Sequence, residues 1–283
     1  MHEILAHTKV SDVAAISLQE ASKQTALLPG FAREADMLAP LRDHRKHIAP
    51  RSSSWAWHTL YEVPVTSHGI VDVMHIAFNT AVLEWRLANS LNPILDWWEL
   101  FVFLTMQSYP VDGVTVAALA EGLGMSINGL RRGALRRLME NGHIDRLDGQ
   151  RYIANWTYRG LAHQIIAIEA KRTNWRAGIQ QAGKYARFAD RAYLALEPKA
   201  AQNAISQKVW VENHRIGVLA VDPQDLTVRR VRTAPLNSHR NSAYRTIACE
   251  YAASLVIAGM ASGPILPVFG EIHTASSGAD PRT

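Results

Sequence analysis

The stretch QIIAIEAK, residues 164–171, decides the fold, because it is an apolar run with β-branched residues that ends in two charges. Such a run predicts a buried β-strand. Successive strand side chains point to opposite faces, so Glu169 and Lys171 share one face with Ala170 between them. Two charges at the end of a buried strand are costly to desolvate. They form either an end-of-strand ion pair or a site in which the carboxylate holds a divalent metal and the lysine orients a water for attack on phosphate.

The composition predicts a globular chain with room for one large or two modest domains. Of the 283 residues, 48% are hydrophobic and 19% are charged, which excludes a wholly disordered chain. The single cysteine, Cys249, excludes an internal disulfide framework and a cysteine-based zinc site. No apolar run approaches the ~20 residues that span a bilayer, and residues 1–3 lack a signal-peptide pattern. We therefore expect a cytoplasmic protein with no membrane partner. The net charge of +5 is compatible with a nucleic-acid partner.

The segments before this strand predict a helix and a β-hairpin. Residues 28–47 carry apolar side chains at helical spacing, and this helix includes Glu34. Residues 55–65 and 69–78 predict the two strands of the hairpin. Asp72 lies inside the nearly all-apolar second strand, where either a buried hydrogen-bond partner or a cation has to satisfy it.

The segments after the strand continue as alternating helices and strands, so the expected class is α/β. We expect helices over residues 175–191, 200–212 and 242–261, and strands over residues 192–196, 216–221 and 228–231. Trp175, at the start of the first of these helices, is expected to be a core residue or a wall on the substrate side.

The pattern changes over residues 80–158. Residues 95–109 predict an apolar, aromatic-rich helix, and residues 115–125 predict a short helix that ends at glycine. Ser126 then caps a helix expected over residues 127–141. A two-stranded wing follows, because the dipeptide Asp-Gly at residues 148–149 is a strong hairpin signal.

These helices and the wing resemble a winged helix-turn-helix module. Its third helix and its wing carry Arg131, Arg132, Arg136, Arg137, Arg146 and Arg151. A helix of this size fits the major groove of DNA, where arginines contact base edges or phosphates. Modules of this kind also bind protein partners or act as spacers, and an arginine-rich face is often only solvated.

The order of the remaining features resembles the PD-(D/E)xK nuclease superfamily, which has the restriction-endonuclease-like fold. The resemblance covers about residues 28–80 and 160–232. Asp72 matches the aspartate of that motif, and Glu169 and Lys171 match its ExK element. The fold it implies is a mixed sheet flanked by helices, with the winged helix-turn-helix inserted between Asp72 and Glu169.

The resemblance implies a metal-dependent DNA endonuclease. Asp72, Glu169 and the backbone carbonyl of Ala170 would hold Mg²⁺ or Mn²⁺, since hard cations prefer oxygen ligands. The metal would lower the pKa of a bound water and stabilise charge on the phosphate, while Lys171 positions the nucleophile.

Four more residues have places in the implied site. Glu34 would complete the metal site through water, and Glu62 is an alternative to Asp72 because the insertion departs from the family pattern. Gln181 and Tyr185 match the QxxxY element of the RecB-like branch. They either orient Lys171 or a phosphate, or pack their helix.

The expected organisation is discontinuous. It comprises an N-terminal, helix-compatible segment 1–27, a nuclease-like domain 28–80 and 160–265, the winged-helix insertion 81–159 and a disordered tail 266–283. A second hypothesis is a DNA-binding transcriptional regulator whose nuclease-like fold is inactive. A third is one subunit of a defence or repair assembly, in which the winged helix binds a protein. A homodimer would suit double-strand cleavage.

Overall fold

The computed structural model describes residues 30–49, 55–65, 68–147, 151–237 and 242–260. The expectations for residues 1–27, for residues 266–283 and for the turn at residues 148–149 lie outside these ranges. No helix in the described ranges is both long enough and apolar enough to cross a membrane.

The described chain is α/β. Its strands are β1 (Trp57–Val65), β2 (Gly69–Phe78), β3 (Val114–Thr115), β4 (Ile144–Arg146), β5 (Arg151–Ala154), β6 (Ala162–Lys171), β7 (Arg191–Leu196), β8 (Ile216–Val221) and β9 (Val228–Arg232). Its helices are a 3-10 helix (Glu34–Met37), α1 (Leu38–Asp43), α2 (Arg45–Ile48), α3 (Thr80–Ala88), α4 (Trp97–Met106), α5 (Val116–Leu123), α6 (Ile127–Arg132), α7 (Ala134–Glu140), α8 (Trp175–Tyr185), α9 (Pro198–Ser206), α10 (Lys208–Asn213) and α11 (Ser242–Ile257).

Six strands form one mixed sheet in the order β1-β2-β6-β7-β8-β9. Strands β6, β7 and β8 are parallel, while β1, β2 and β9 run antiparallel to their neighbours. The parallel strands are buried along nearly their whole length, which explains why their sequences are continuous apolar runs. The expected mixed sheet flanked by helices is therefore confirmed at the level of the α/β class.

The two faces of this sheet are covered by different elements. One face packs against α8, α11 and the inserted segment. The other packs against the short N-terminal helices, with Leu41 and Ile48 contributing to a core that includes Ile166, Ile168 and Tyr193. Because Ile166 and Ile168 alternate with Ile165 and Ala167 across the two faces, β6 is at the centre of both cores.

Three helices expected as continuous are broken in the structure. The helix expected over residues 200–212 is divided at Gln207 into α9 and α10. The helix expected over residues 28–47 is divided into the 3-10 helix, α1 and α2 in its described part, and Pro40, which has no N–H, lies within α1. The helix expected over residues 127–141 breaks at Gly133, whose backbone has φ −100° and ψ −106°. A Cβ at Gly133 would lie 2.8 Å from the carbonyl oxygen of Gly129, so only glycine fits this kink.

The inserted segment connects two neighbouring strands. It leaves the end of β2 and returns at the start of β6, and the N–H of Asn79 donates to the carbonyl of Leu161 at its base (2.8 Å). Its own sheet has the order β3-β5-β4, with α4 to α7 packed on it. Strands β2 and β6 thus remain paired despite the intervening residues.

A buried ionic cluster fixes this segment to helix α11. Glu250 of α11 accepts two hydrogen bonds from the guanidinium of Arg86, at 2.6 and 3.1 Å. The same carboxylate accepts from the N–H of Ile94 (2.8 Å) and from the hydroxyl of Tyr158 (2.9 Å). The Arg86 guanidinium also donates to the carbonyl of Asn92 and lies 4.9 Å from the centre of the Trp156 ring.

Candidate active site

The charged end of β6 is the centre of the candidate site. The ammonium of Lys171 lies 2.8 Å from Oε1 of Glu169 and 3.1 Å from Oε2 of Glu34. Glu169 is fully buried, whereas a fifth of the Lys171 side chain is exposed. Burial would lower the pKa of Lys171, but Glu169, Asp72 and Glu34 together raise it. The lysine is therefore charged at neutral pH.

Glu169 also contacts helix α8. Its Oε2 lies 2.6 Å from the hydroxyl of Tyr185, which is equally close to the carbonyl oxygen of Ile70. The side-chain amide of Gln181 donates to the same hydroxyl (3.4 Å). Gln181 and Tyr185 thus point into the site rather than serving only to pack their helix. The Oε1 atom has the Lys171 ammonium as its ionic partner.

Asp72 is held against the same strand end. Its Oδ2 accepts a hydrogen bond from the N–H of Ala170 at 2.7 Å. Burial and the negative charge of Glu169 raise the pKa of Asp72 well above its usual range, more than this hydrogen bond and Lys171 lower it. Of the two partners expected for Asp72, a hydrogen-bond donor is therefore present in the structure.

Glu62 faces Asp72 across the hairpin. Tyr61 pairs with Val73 and Val63 pairs with Val71, which places Glu62 opposite Asp72. Glu62 has a φ of +50°, in the left-handed region that non-glycine residues seldom adopt. Burial, reinforced by Glu169 and opposed by Lys171, raises the pKa of Glu62 to about 7.

The left-handed residue changes which face of the sheet the hairpin side chains occupy. Tyr61 and Val73 belong to the core under α1 and α2, whereas Val63 and Val71 belong to the core on the opposite face. Residues two apart in a strand normally share a face, so both strands reverse their facing at Glu62. Strain of this kind costs about 1–3 kcal/mol and is found mainly at functional sites.

The site carries more negative than positive charge. Within the described residues, Lys171 is the cation that pairs with Glu34 and Glu169 and that interacts electrostatically with Glu62 and Asp72. Four carboxyl groups thus surround one ammonium. Burial is the largest cause of the raised pKa values of Glu62, Asp72 and Glu169, and the charge of a neighbouring carboxylate adds to each of them.

The site fits a divalent metal by its chemistry rather than by its present arrangement. Carboxylate oxygens are the ligands that Mg²⁺ prefers, and Glu169 and Asp72 bring such oxygens to the buried end of β6. In the part of the chain that is described, however, no three His, Cys, Asp or Glu side chains are grouped so that they could hold a metal ion. Lys171, Tyr185 and the N–H of Ala170 fill the positions that a metal would contact.

The arginines expected to bind DNA fall into two groups. Arg131, Arg132, Arg136 and Arg146 are exposed on the inserted segment, and Arg136 lies 3.7 Å from Glu140 one helical turn away. Arg137 and Arg151 are engaged within the segment. Arg137 pairs with the buried Glu99 and with Asp96, and Arg151 pairs with Asp112.

A cavity of about 130 Å³ lies in the inserted segment, away from the carboxyl groups. Met106, Tyr109, Tyr152 and Trp156 are among the residues that line it. Because only part of its lining is polar and none of it is charged, it offers no group that could act on a phosphodiester.

Two features of the site were missed by the sequence reasoning. The left-handed backbone of Glu62 has no local signal, since the surrounding residues read as an ordinary strand. Trp210 lies beside Trp175, with ring centres 6.3 Å apart, although the two are distant in sequence. No protein-family model matches the chain, and neither a curated protein nor a solved structure gives a significant match.

Proposed function

We propose that the chain is a divalent-metal-dependent DNA endonuclease with a restriction-endonuclease-like fold, in which residues 81–159 form an inserted winged-helix module that binds DNA. The observation that carries the proposal is the group of four carboxyl groups around Lys171 at the end of β6. Structural ion pairs are usually balanced in charge, whereas sites that hold a cation and a phosphate are not.

Asp72 and Glu169, with the carbonyl of Ala170, would hold the metal, which supplies an activated water and stabilises negative charge on the phosphate. Tyr185 and the N–H of Ala170 hold the carboxylates of Glu169 and Asp72 at the end of β6.

Lys171 has the position to orient the attacking water and to neutralise a phosphate oxygen. Its ammonium is held between Glu169 and Glu34. Glu34 is about half exposed and also accepts from the N–H of Arg172 (3.3 Å), so it fixes the lysine from the solvent side. A phosphate that approaches Lys171 would meet this ammonium at the mouth of the site.

The exposed arginines Arg131, Arg132, Arg136 and Arg146 support the DNA-binding part of the proposal. Exposed arginine side chains on a helix or wing are the groups that contact phosphate oxygens and base edges. Arg137 is left out of this role because the buried Glu99 holds it, whereas Arg151 pairs with Asp112 at the surface.

The test is cleavage of supercoiled plasmid by the purified chain with Mg²⁺ or Mn²⁺. We expect nicking or linearisation that needs the metal, and we expect Lys171→Ala to reduce the rate by at least about a hundredfold, as for loss of one group that stabilises a transition state. Lys208→Ala is the matched control, because Lys208 is an exposed lysine on α10 with about three quarters of its side chain accessible. Equal cleavage by both variants would refute the proposed site.

A second candidate is a DNA-binding regulator with an inactive nuclease-like fold. The observation that favours it is the filling of the site by Lys171, Tyr185 and the Ala170 N–H, without a three-carboxylate metal group among the described residues. Salt-dependent DNA binding by wild type and by Lys171→Ala, with cleavage by neither under any metal, would select this candidate.

A further inference from the structure

Beside the candidate site, Trp175 and Trp210 form a partly exposed aromatic pair. Trp175 is the first residue of α8 and packs partly against the core, whereas Trp210 on α10 leaves 42% of its surface exposed. Their rings meet edge to face at 66°, with centres 6.3 Å apart. Trp210 therefore presents part of its ring to solvent.

This pair lies next to Lys171. A Cβ at Gly178 would come within 3.2 Å of Cγ of Lys171, so α8 crosses directly over the lysine side chain at this glycine. Trp175 precedes Gly178 by three residues and therefore lies on the same side of the helix, one turn closer to its start. The aromatic pair thus stands about one helical turn from the catalytic lysine of the proposed function.

A cation accompanies the pair. The guanidinium of Arg176 lies 4.4 Å from the centre of the Trp175 ring, in cation–π geometry. Among the described residues Arg176 has no carboxylate within ion-pair distance, and its side chain is exposed. An aromatic surface bordered by an unpaired arginine is the combination that binds unstacked nucleobases and the phosphates between them.

We propose that Trp175 and Trp210 are a stacking platform for unpaired nucleotides beside the cut site, so that the substrate is single-stranded DNA or DNA with a single-stranded segment. The binding of unpaired nucleotides to the two tryptophans does not depend on the proposed function, whereas their place beside a cut site rests on it. In an intact duplex each base is stacked on its neighbours and offers no face to a tryptophan, whereas an unpaired strand presents every base.

With this platform, the chain has two surfaces that suit two different forms of DNA. The arginines of the inserted segment suit duplex phosphates, and the tryptophan pair suits bases that have left the duplex. A substrate with a duplex next to an unpaired strand would use both surfaces at once. The enzyme would then cut at or near the junction, where the unpaired strand reaches Lys171.

The test separates binding from cleavage. Binding is measured in EDTA by fluorescence anisotropy with a labelled single strand of about 20 nucleotides, since single-strand-binding folds cover roughly 4–16 nucleotides. The same label on a blunt duplex gives the comparison. We expect Trp210→Ala to bind the single strand about tenfold more weakly, Trp210→Phe to retain most of the affinity, and duplex binding to be unchanged in both.

Val209→Ala is the matched control, because Val209 is the neighbouring apolar residue on α10 and is more exposed than Trp210. Cleavage of the single strand, the duplex and a duplex with an unpaired tail is then followed with Mg²⁺. We expect the single strand and the tailed duplex to be cut at least about tenfold faster than the blunt duplex, and Trp210→Ala to remove that preference.

The outcomes separate the two proposals. Loss of single-strand binding in Trp210→Ala without cleavage of any DNA by wild type would keep the platform and refute the nuclease. Lysine-dependent cleavage with no effect of Trp210→Ala on any substrate would keep the nuclease and refute the platform. If Trp210→Ala changed only the sedimentation behaviour of the protein, the exposed ring would belong to a protein interface and the platform would again be refuted.

Discussion

The protein contains two buried charge clusters that are built in opposite ways. Around Glu250, one carboxylate meets one guanidinium, and a backbone N–H and a tyrosine hydroxyl supply its remaining hydrogen bonds. Around Lys171, one ammonium faces several carboxyl groups, of which Glu169 and Glu34 pair with it directly. We call the first the closed cluster and the second the open cluster.

The difference separates a cluster that holds the fold from the cluster on which the proposed function depends. Neither Arg86 nor Glu250 reaches solvent, so the closed cluster can only hold the inserted segment on α11. The open cluster reaches the surface through Lys171 and Glu34 and contains more carboxyl groups than cations, an arrangement from which a fold gains nothing. A buried charge is therefore informative about function mainly when its partners leave it incompletely satisfied.

We expect the largest loss of folding stability when one charge of the closed cluster is removed. Glu250→Ala leaves the guanidinium of Arg86 buried without a counter-ion, and breaking such a pair costs about 3–5 kcal/mol. We expect the urea midpoint to fall accordingly. The double variant Arg86→Met with Glu250→Leu serves as the control, and it should recover most of the loss because no charge remains. A loss below about 1 kcal/mol in Glu250→Ala would contradict the closed description.

Removing a carboxyl group from the open cluster is expected to increase the free energy of unfolding, by less than the loss expected for the closed cluster. The raised pKa of Glu62, about 7, means that the folded state keeps its proton after the unfolded state has lost it. Folding stability from this group is therefore present at low pH and is lost as the pH rises towards 7. Glu62→Gln should match wild type near pH 5 and exceed it by about 1 kcal/mol near pH 8, after allowance for solvent screening.

This comparison is made by urea unfolding in EDTA, so that no metal contributes. Glu212→Gln is a suitable control, since Glu212 is a carboxylate on α10 whose side chain is 44% exposed and which pairs with Arg232 at the surface. An equal stability difference at pH 5 and at pH 8 would show that the gain does not come from the ionisation of Glu62.

The smallest expected effect concerns the backbone of Glu62. At a φ of +50°, a side chain with a Cβ costs about 1 kcal/mol or more relative to glycine. Glu62→Gly and Glu62→Ala both remove the carboxylate, so their difference isolates the backbone. We expect the glycine variant to be the more stable by about 0.5–1 kcal/mol in thermal unfolding, the lower end reflecting the flexibility of glycine in the unfolded chain. Greater stability of the alanine variant would mean that the left-handed conformation is not retained.

Much of the fold can be predicted from the local periodicity of apolar residues in the sequence. The alternation of residues 164–171 gave the central strand and put Glu169 and Lys171 on one face, since a period of two is fixed by strand geometry. The inserted segment was delimited by helix caps such as Ser126 and by glycine turns, which are also local signals. The break at Gly133 was missed because the apolar pattern of the two short helices continues across it.

Local sequence signals cannot predict the contacts that define the site. Asp72 and Ala170 are 98 residues apart and meet only because β2 and β6 pair across the insertion. The engagement of Arg137 by Glu99 likewise depends on how α4 packs against α7. Sequence patterns identify residues whose side chains suit a metal or a phosphate. Which of these side chains reach the site, and which are held in ion pairs, depends on how distant elements pack.

The closed cluster also has a consequence for the order in which the chain is completed during synthesis. Glu250 is made 164 residues after Arg86, 156 after Ile94 and 92 after Tyr158. Until the ribosome has released α11, the guanidinium at the root of the insertion has no counter-ion and is better hydrated than buried. The nascent insertion therefore folds as a tethered unit with a loose base, and its orientation on the sheet is fixed only after α11 has been synthesised.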